Sequence, residues 1–245
     1  MQASGRAHIG TSGYQYDHWR GVFYPGALPR ERWLAHYAEH FASVEINNTF
    51  YRLPGEATFR TWRDSVPAGF RYAVKFSRYG SHMKKLKEPE ATIGHFLERL
   101  APLGDRLGPI LVQLPGRWRV DAGRLAAFLA AAPPGYRWAI EVRDASWWCE
   151  AVYRVLEAHR AALCWHDMLP DHPRRLTADW TYLRFHGDHY RGSYSPQYLT
   201  AQARRLRALL DDGTDVYAYF NNDAAGHAVA NARQLRRYLD RRSPG

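Results

Sequence analysis

Cysteine, lysine and long apolar runs are all scarce in this chain of 245 residues. The two cysteines, Cys149 and Cys164, form no CxxC pair, so the sequence predicts neither a zinc ribbon nor a disulfide framework. No run approaches the roughly 18 uninterrupted apolar residues of a membrane span, and the first ten residues lack the apolar core of a signal peptide. We therefore expect a cytoplasmic protein without a membrane partner.

Lysine accounts for only four of the 34 cationic side chains, and all four lie within residues 75–87. The 24 acids leave a formal net charge of +10, which favours encounters with polyanions, although an arginine-biased genome would also produce it. A basic loop over 75–87 would bind nucleic acid if Tyr79 stacked on a base; the alternative is a solvated surface loop. Nucleic acid is therefore one candidate partner.

Strand-like and helix-like segments alternate throughout. We predict strands near 7–12, 42–47, 70–77, 109–114, 137–143, 161–166, 181–186 and 215–221. We predict helices near 30–40, 56–65, 90–101, 121–131, 149–159, 197–211 and 226–240. This order is typical of parallel strands with helices outside, and eight strands predict an α/β fold of the (β/α)8 TIM-barrel type. Residues 167–178 contain two prolines, so the helix between strands 6 and 7 is expected to be irregular or missing, within a single domain over 1–245.

Charged and amide side chains end most of these strands, where a buried strand should remain apolar. Side chains alternate faces with a period of two, so Glu45 lies opposite Val44 and Ile46, and Glu141 lies opposite Ile140 and Val142. If the apolar set faces the helices, the polar set faces the barrel axis. Its last members then project at the carboxyl-terminal mouth, where TIM-barrel enzymes carry their chemistry.

Seven blocks in order resemble the domain-of-unknown-function 72 family, the YecE-like proteins, over residues 8–235. The blocks are GTSGYQYDHWRGVFYP, FASVEINNTFYRLP, GFRYAVKFSRYGSH, LGPILVQLP, AIEVRDASW, YLRFHG and YFNND. The resemblance implies a TIM-type barrel and implies no known reaction.

Acid–base chemistry is the function that the mouth residues favour. The catalytic candidates are Glu45, Lys75, Glu141 and His186, because they include carboxylates, an amine and an imidazole. The candidate substrate-binding residues are Asn47, Gln113, Arg143, Asp167, Arg184, Asn221, Asn222 and Tyr14. An anion is expected between the loop 186–192 and the helix that starts near Gly226. The alternative is a structural lattice of ion pairs, with Lys75 bonded to Glu45.

No cofactor is predicted, and no metal is predicted because no HExxH motif is present and cations surround the acids. A divalent ion held by donors such as Glu45, Glu141, Asp167, His186 and His189 is the alternative. We expect an enzyme acting on a small phosphorylated or polyhydroxylated substrate. The alternatives are a nucleic-acid-binding protein or phosphodiesterase, and a non-catalytic ligand-binding barrel. The oligomeric state does not follow from the sequence.

Overall fold

Eight parallel strands alternate with helices in the computed structural model, which describes residues 4–187 and 192–240. The strands are β1 Ala7–Thr11, β2 Ser43–Ile46, β3 Arg71–Lys75, β4 Leu107–Gln113, β5 Trp138–Glu141, β6 Ala162–His166, β7 Trp180–Phe185 and β8 Asp215–Phe220. The helices are α1 Trp33–His40, α2 Asn48–Tyr51, α3 Glu56–Asp64, α4 Pro89–Leu100, α5 Ala122–Ala130, α6 Glu150–Ala158, α7 Pro196–Asp211 and α8 His227–Asp240. None of the helices in the described residues is long and apolar enough to cross a membrane.

Strands that follow one another in the chain are neighbours from β2 to β8, and β8 pairs with β1. The predicted (β/α)8 TIM-type barrel is thereby confirmed. Residues 167–179, all of them described, contain no helix, so the prediction of a missing helix between β6 and β7 is also confirmed. Among the α-helices of the described residues, α2 was not predicted; it is a single turn that directly follows β2.

A helix side chain helps to complete the seam between β1 and β2. The two strands share one bridge, and the Gly13 N–H donates to the carbonyl of Glu45 at 2.7 Å. Further down the seam, the buried Tyr37 hydroxyl accepts from the Thr11 N–H at 2.9 Å and donates to the Ser43 carbonyl at 3.2 Å. A Cβ on Gly10 would lie 2.1 Å from the Ser43 carbonyl oxygen, so a side chain there would force the strands apart.

The two faces of the strands have the composition that the period of two predicted. Outward side chains such as Val44, Val74 and Ile140 pack with the helices in the main core. A separate inner cluster fills the barrel with small residues on β3, β5 and β6 and with large aromatic residues on β7 and β8. Its members are Ala73, Leu111, Ala139, Ala162, Cys164, Trp180, Tyr182, Tyr217 and Tyr219.

We expect Tyr37→Phe to lower the free energy of unfolding by about 1–3 kcal/mol, because the buried Thr11 N–H would lose its acceptor while the ring stays in place. Denaturant unfolding measures this change. Tyr51→Phe is the matched control, since Tyr51 is 78% exposed and its hydroxyl can bond to water. Equal losses of stability in the two variants would refute a role of the Tyr37 hydroxyl in the seam.

Candidate active site at the mouth of the barrel

Arg184 on β7 joins carboxylates that come from two other strands, β2 and β5. Its Nη2 donates to Glu45 Oε1 at 2.9 Å, and its Nη1 donates to Glu141 Oε2 at 2.8 Å. Both glutamates are fully buried and Arg184 is 3% exposed, so solvent hardly screens these ion pairs. The inward direction predicted for all three side chains is therefore what the structure shows.

Glu45 accepts further hydrogen bonds. Ser12 Oγ donates to its Oε1, Tyr182 Oη donates to its Oε2 at 2.7 Å, and Asn47 Nδ2 donates to its Oε1 at 3.2 Å. Burial alone would raise the pKa of Glu45, but the charge of Arg184 and the hydrogen bonds outweigh it and hold the pKa below its ordinary value. Glu45 is therefore an ionised carboxylate at neutral pH.

Glu141 continues the hydrogen-bonded chain toward the loops. Arg143 Nε donates to Glu141 Oε1, and the Arg143 Nη2 lies 3.4 Å from His186 Nε2. Burial would raise the pKa of Glu141, but Arg184 and Arg143 hold it well below its ordinary value. One carboxylate thus shares two guanidinium groups, and Arg143, with 13% of its side chain exposed, is the one nearer to solvent.

His186 links this chain to Asp167. Its Nδ1 lies 3.1 Å from Asp167 Oδ1. Since an ionised carboxylate only accepts hydrogen bonds, Nδ1 carries the proton. The unprotonated Nε2 of His186 then faces the Arg143 donor. Burial is the main cause that lowers the pKa of His186, so the neutral imidazole is favoured. Tyr194 Oη donates to the other oxygen of Asp167. A single chain of polar contacts therefore crosses the mouth from Tyr194 to Ser12.

Lys75 stands beside this chain without an ion pair in the described residues. Its Nζ donates to Gln113 Oε1 at 2.8 Å and lies 4.3 Å from the centre of the Phe50 ring. Burial, with the nearby charge of Arg184, lowers the pKa of Lys75 to about 8 despite the opposing effect of Glu141 and Glu45. The alternative of a Lys75–Glu45 ion pair is not what the structure shows.

Two residues of the predicted site lie elsewhere. Tyr14 is buried near Tyr37, and its carbonyl accepts from the hydroxyl of Tyr24. Asn222 donates to Asn231 on α8, so its side chain points out of the barrel. Their roles in substrate binding stay predictions, but the structure does not bring them to the cluster.

Asn221 directly follows β8, and its backbone N–H donates to the carbonyl of Phe185 at 2.7 Å, one step beyond the β7–β8 ladder. The expected anion site and His189 involve residues 188–191, which lie outside the described residues. That site and the role of Asn221 also stay predictions.

Four polar residues of the cluster were missed. Tyr182 lies on the inward face that the period of two predicts for β7, but it was not included in the site. Ser12 and His166 also occupy inward positions, so extending the period of two to β1 and β6 would have found them. His166 Nε2 donates to the Val142 carbonyl at 2.8 Å, and its ring lies edge-on to that of His186, with ring centres 6.2 Å apart. Tyr194 lies in an irregular loop, where no periodicity applies.

A cleft of about 570 Å³ opens beside the cluster, at the place where the helix between β6 and β7 is missing. Asp167, His172 and Arg174 line it from the loop, and Tyr198 and Gln202 line it from α7. Since Asp167 also holds His186, the cleft adjoins the polar chain.

A family model described as protein of unknown function DUF72 matches residues 8–244. The chain belongs to the DUF72 family. YecE from Escherichia coli K12 is 34% identical to this chain over 111 residues. These residues cover 45% of this chain and 41% of YecE, so the match spans less than half of that relative. The crystal structure of a DUF72 family protein from Thermotoga maritima has a TM-score of 0.87 at 28% identity, covering 96% of this chain and 100% of that one.

A more distant neighbour shares the fold alone. The crystal structure of 3-keto-D-glucoside 4-epimerase from E. coli has a TM-score of 0.56 at 14% identity, covering 96% of this chain and 98% of that one. Neither the family description nor this likeness assigns a reaction to the mouth cluster, because one barrel architecture hosts many activities.

We expect Arg184→Met to lower the free energy of unfolding by about 3–5 kcal/mol, because Glu45 would lose its cation and Glu141 one of its two. Arg160→Met is the matched control: the Arg160–Asp179 pair is exposed and its loss should cost less than about 1 kcal/mol. Denaturant unfolding of both variants measures the difference. Similar costs would show that Arg184 is not the centre of the cluster.

The stabilising effect of the ion pairs that Arg184 makes depends on pH. Both glutamates have a depressed pKa in the folded state, so their stabilising effect is present above the ordinary glutamate pKa of 4.5 and is lost as the pH falls through the folded values. Combining Arg184→Met with Glu45→Gln should recover part of the lost stability at pH 7, because Glu45 then carries no unpaired charge while Glu141 keeps its ion pair with Arg143.

Proposed function

We propose that the barrel mouth is the active site of an enzyme that moves a proton on a small polar substrate, with Lys75 as the base. The observation that carries this proposal is the isolation of Lys75: the acids of the cluster are bonded to arginine or histidine, whereas Lys75 is held by an amide and a ring. A lysine with a pKa of about 8 is partly unprotonated near neutral pH and can accept a proton.

The polar chain supports this chemistry by fixing Arg143. Glu141 and His186 hold its guanidinium from two sides, so it is oriented before a substrate arrives. A guanidinium in that position stabilises the negative charge that develops on a substrate oxygen when a neighbouring carbon loses its proton. The proton moves to Lys75 Nζ, which becomes an ammonium group, and returns from there to the product.

The remaining candidates then have supporting roles. Glu45 and Glu141 stay ionised and position the two arginines, and Arg184 is too deeply buried to bind the substrate directly. Gln113 orients the amine of Lys75, while Asn47 lies at the rim beside Glu45. Asp167 fixes the tautomer of His186.

The substrate class that fits is a phosphorylated or polyhydroxylated compound with a carbonyl group. Arg143 is a cation at the mouth that can bind a phosphate or a carboxylate. The fold neighbour from E. coli is named for an epimerisation of a 3-keto-D-glucoside, which is a reason to include keto sugars among the compounds tested.

The test uses a panel of aldoses, ketoses, keto sugars and their phosphates in D2O. We expect the protein to incorporate deuterium into one or more of these compounds, and NMR measures the rate of incorporation. Lys75→Met should lower the exchange rate by about 10²–10⁴-fold, because the base is lost. Lys87→Met, which removes an exposed lysine of the same loop, should leave the rate unchanged. Exchange that survives in Lys75→Met would exclude Lys75, and binding without exchange across the panel would favour a non-catalytic barrel.

The rate should rise with pH and level off above about pH 8, because the free amine is the reactive form. Competitive labelling of amines at several pH values checks the cause without a substrate. The chain contains only four lysines, so mass spectrometry can follow each one. Lys75 should titrate near pH 8, well before Lys84, whose pKa is raised by its bond to Glu88. Labelling of Lys75 with an ordinary lysine profile would contradict the proposed base.

A second candidate function is binding of nucleic acid by the loop 75–87. Leu86 is fully buried and anchors this loop, which leaves Lys85 and Lys87 exposed on either side of it. Tyr79 is 51% exposed and lies under the ammonium group of Lys84 at 5.5 Å. An exposed ring beside cations is the arrangement on which an unpaired base stacks.

We expect Lys85→Ala with Lys87→Ala to weaken binding of a single-stranded oligonucleotide and to reduce the slope of log affinity against log salt by about 0.7 for each lost phosphate contact. Fluorescence anisotropy at several salt concentrations measures both effects. Arg204→Ala, on the exposed face of α7, is the control for net charge. Equal slopes for all three proteins would remove this candidate.

A further inference from the structure

Helix α1 carries two histidines and a glutamate on one face. The segment HYAEH places His36, Glu39 and His40 at positions i, i+3 and i+4, which lie side by side on a helix. This order reverses the HExxH motif, so a search for HExxH does not find it. The group lies on the outside of the barrel, on the same helix as Tyr37, and is separate from the mouth cluster.

The three side chains are close enough to share one ion. One ligand atom from each lies within 4.8 Å of the others, and among residues 4–187 and 192–240 no other trio of histidine, cysteine and acidic side chains meets this condition. His36 Nδ1 lies 3.7 Å from Glu39 Oε2. Two ligands of a tetrahedral zinc ion lie about 3.3 Å apart when its bonds are 2.0–2.1 Å, so small rotations would suffice.

The surroundings prepare His36 as a ligand. Its Nε2 lies 3.2 Å from the Phe23 carbonyl oxygen. Because a carbonyl oxygen only accepts, Nε2 carries the proton and donates it. The lone pair of His36 Nδ1 therefore faces Glu39. A backbone carbonyl that fixes the tautomer in this way is the usual second partner of a metal-binding histidine. The Phe23 ring also packs against both imidazoles, with ring centres 5.2 Å from His36 and 5.4 Å from His40.

The nearby cations have other contacts. Arg233 lies over the Phe23 ring at 5.0 Å, and Arg236 donates to the His40 backbone carbonyl. Both arginines are therefore held beside the site by other groups, while Glu39 supplies its negative charge.

We propose that His36, Glu39 and His40 bind one divalent transition-metal ion such as Zn²⁺, with water completing the tetrahedron. Two imidazoles and one carboxylate are a donor set that zinc accepts. Because α1 also carries the Tyr37 hydroxyl of the β1–β2 seam, the bound ion would hold the helix that completes the barrel. The site is thus structural and independent of the reaction at the mouth.

The test is a calorimetric titration of the metal-free, untagged protein with Zn²⁺ at pH 7, together with thermal unfolding. We expect one equivalent to bind and the melting temperature to rise. His36→Ala and His40→Ala should each weaken binding at least about 10-fold, and Glu39→Gln should weaken it less, because its oxygen remains a poorer donor. His159→Ala, an exposed histidine on the turn after α6, should bind like the unaltered protein.

Two outcomes would overturn the proposal: absence of stoichiometric binding, or binding that persists when His36 and His40 are both replaced. Circular dichroism shows whether each variant is folded. If a histidine variant does not fold, Glu39→Gln decides, because the Glu39 side chain is 70% exposed and its replacement leaves the packing intact. Unchanged zinc affinity in folded Glu39→Gln would then count against the site.

Discussion

The contact between Arg184 and its two carboxylates is the constraint on which the mouth of this barrel depends. Glu45, Glu141 and Arg184 come from β2, β5 and β7, and none of them would be stable alone in a closed interior. Each charge is acceptable only because the others are present. The strands must therefore meet in this register, which makes the polar layer a determinant of strand order as well as a candidate site.

This layer resembles a structural lattice of ion pairs at its centre, and the residues proposed as an active site lie at its edge. The inner part, from Ser12 to Glu141, is saturated with hydrogen bonds and closed to solvent. The outer part includes Lys75, Arg143 and Asp167, which retain some exposure, and Asp167 also lines a cleft. The two interpretations therefore apply to different depths of the same cluster.

The sequence predicted the barrel and most of the cluster because one rule, the alternation of side chains along a strand, applied to nearly every strand. Glu45, Lys75, Glu141 and Arg184 all follow from it. The rule was applied incompletely to β6, where it favours the buried His166 over Asp167. The alternation rule does not predict the position of Tyr194, which depends on an irregular loop. Nor does it predict the outward direction of the Asn222 side chain, which depends on contact with α8.

The seam between β1 and β2 has a consequence for the order of folding. Elsewhere in the barrel, strands recognise each other through their own amides, as β1 and β8 do along five residues. Where Tyr37 intervenes, the backbone of β1 has no complete partner until the first helix is docked. Closure of the sheet at this seam therefore depends on the docking of α1 as well as on pairing between strands.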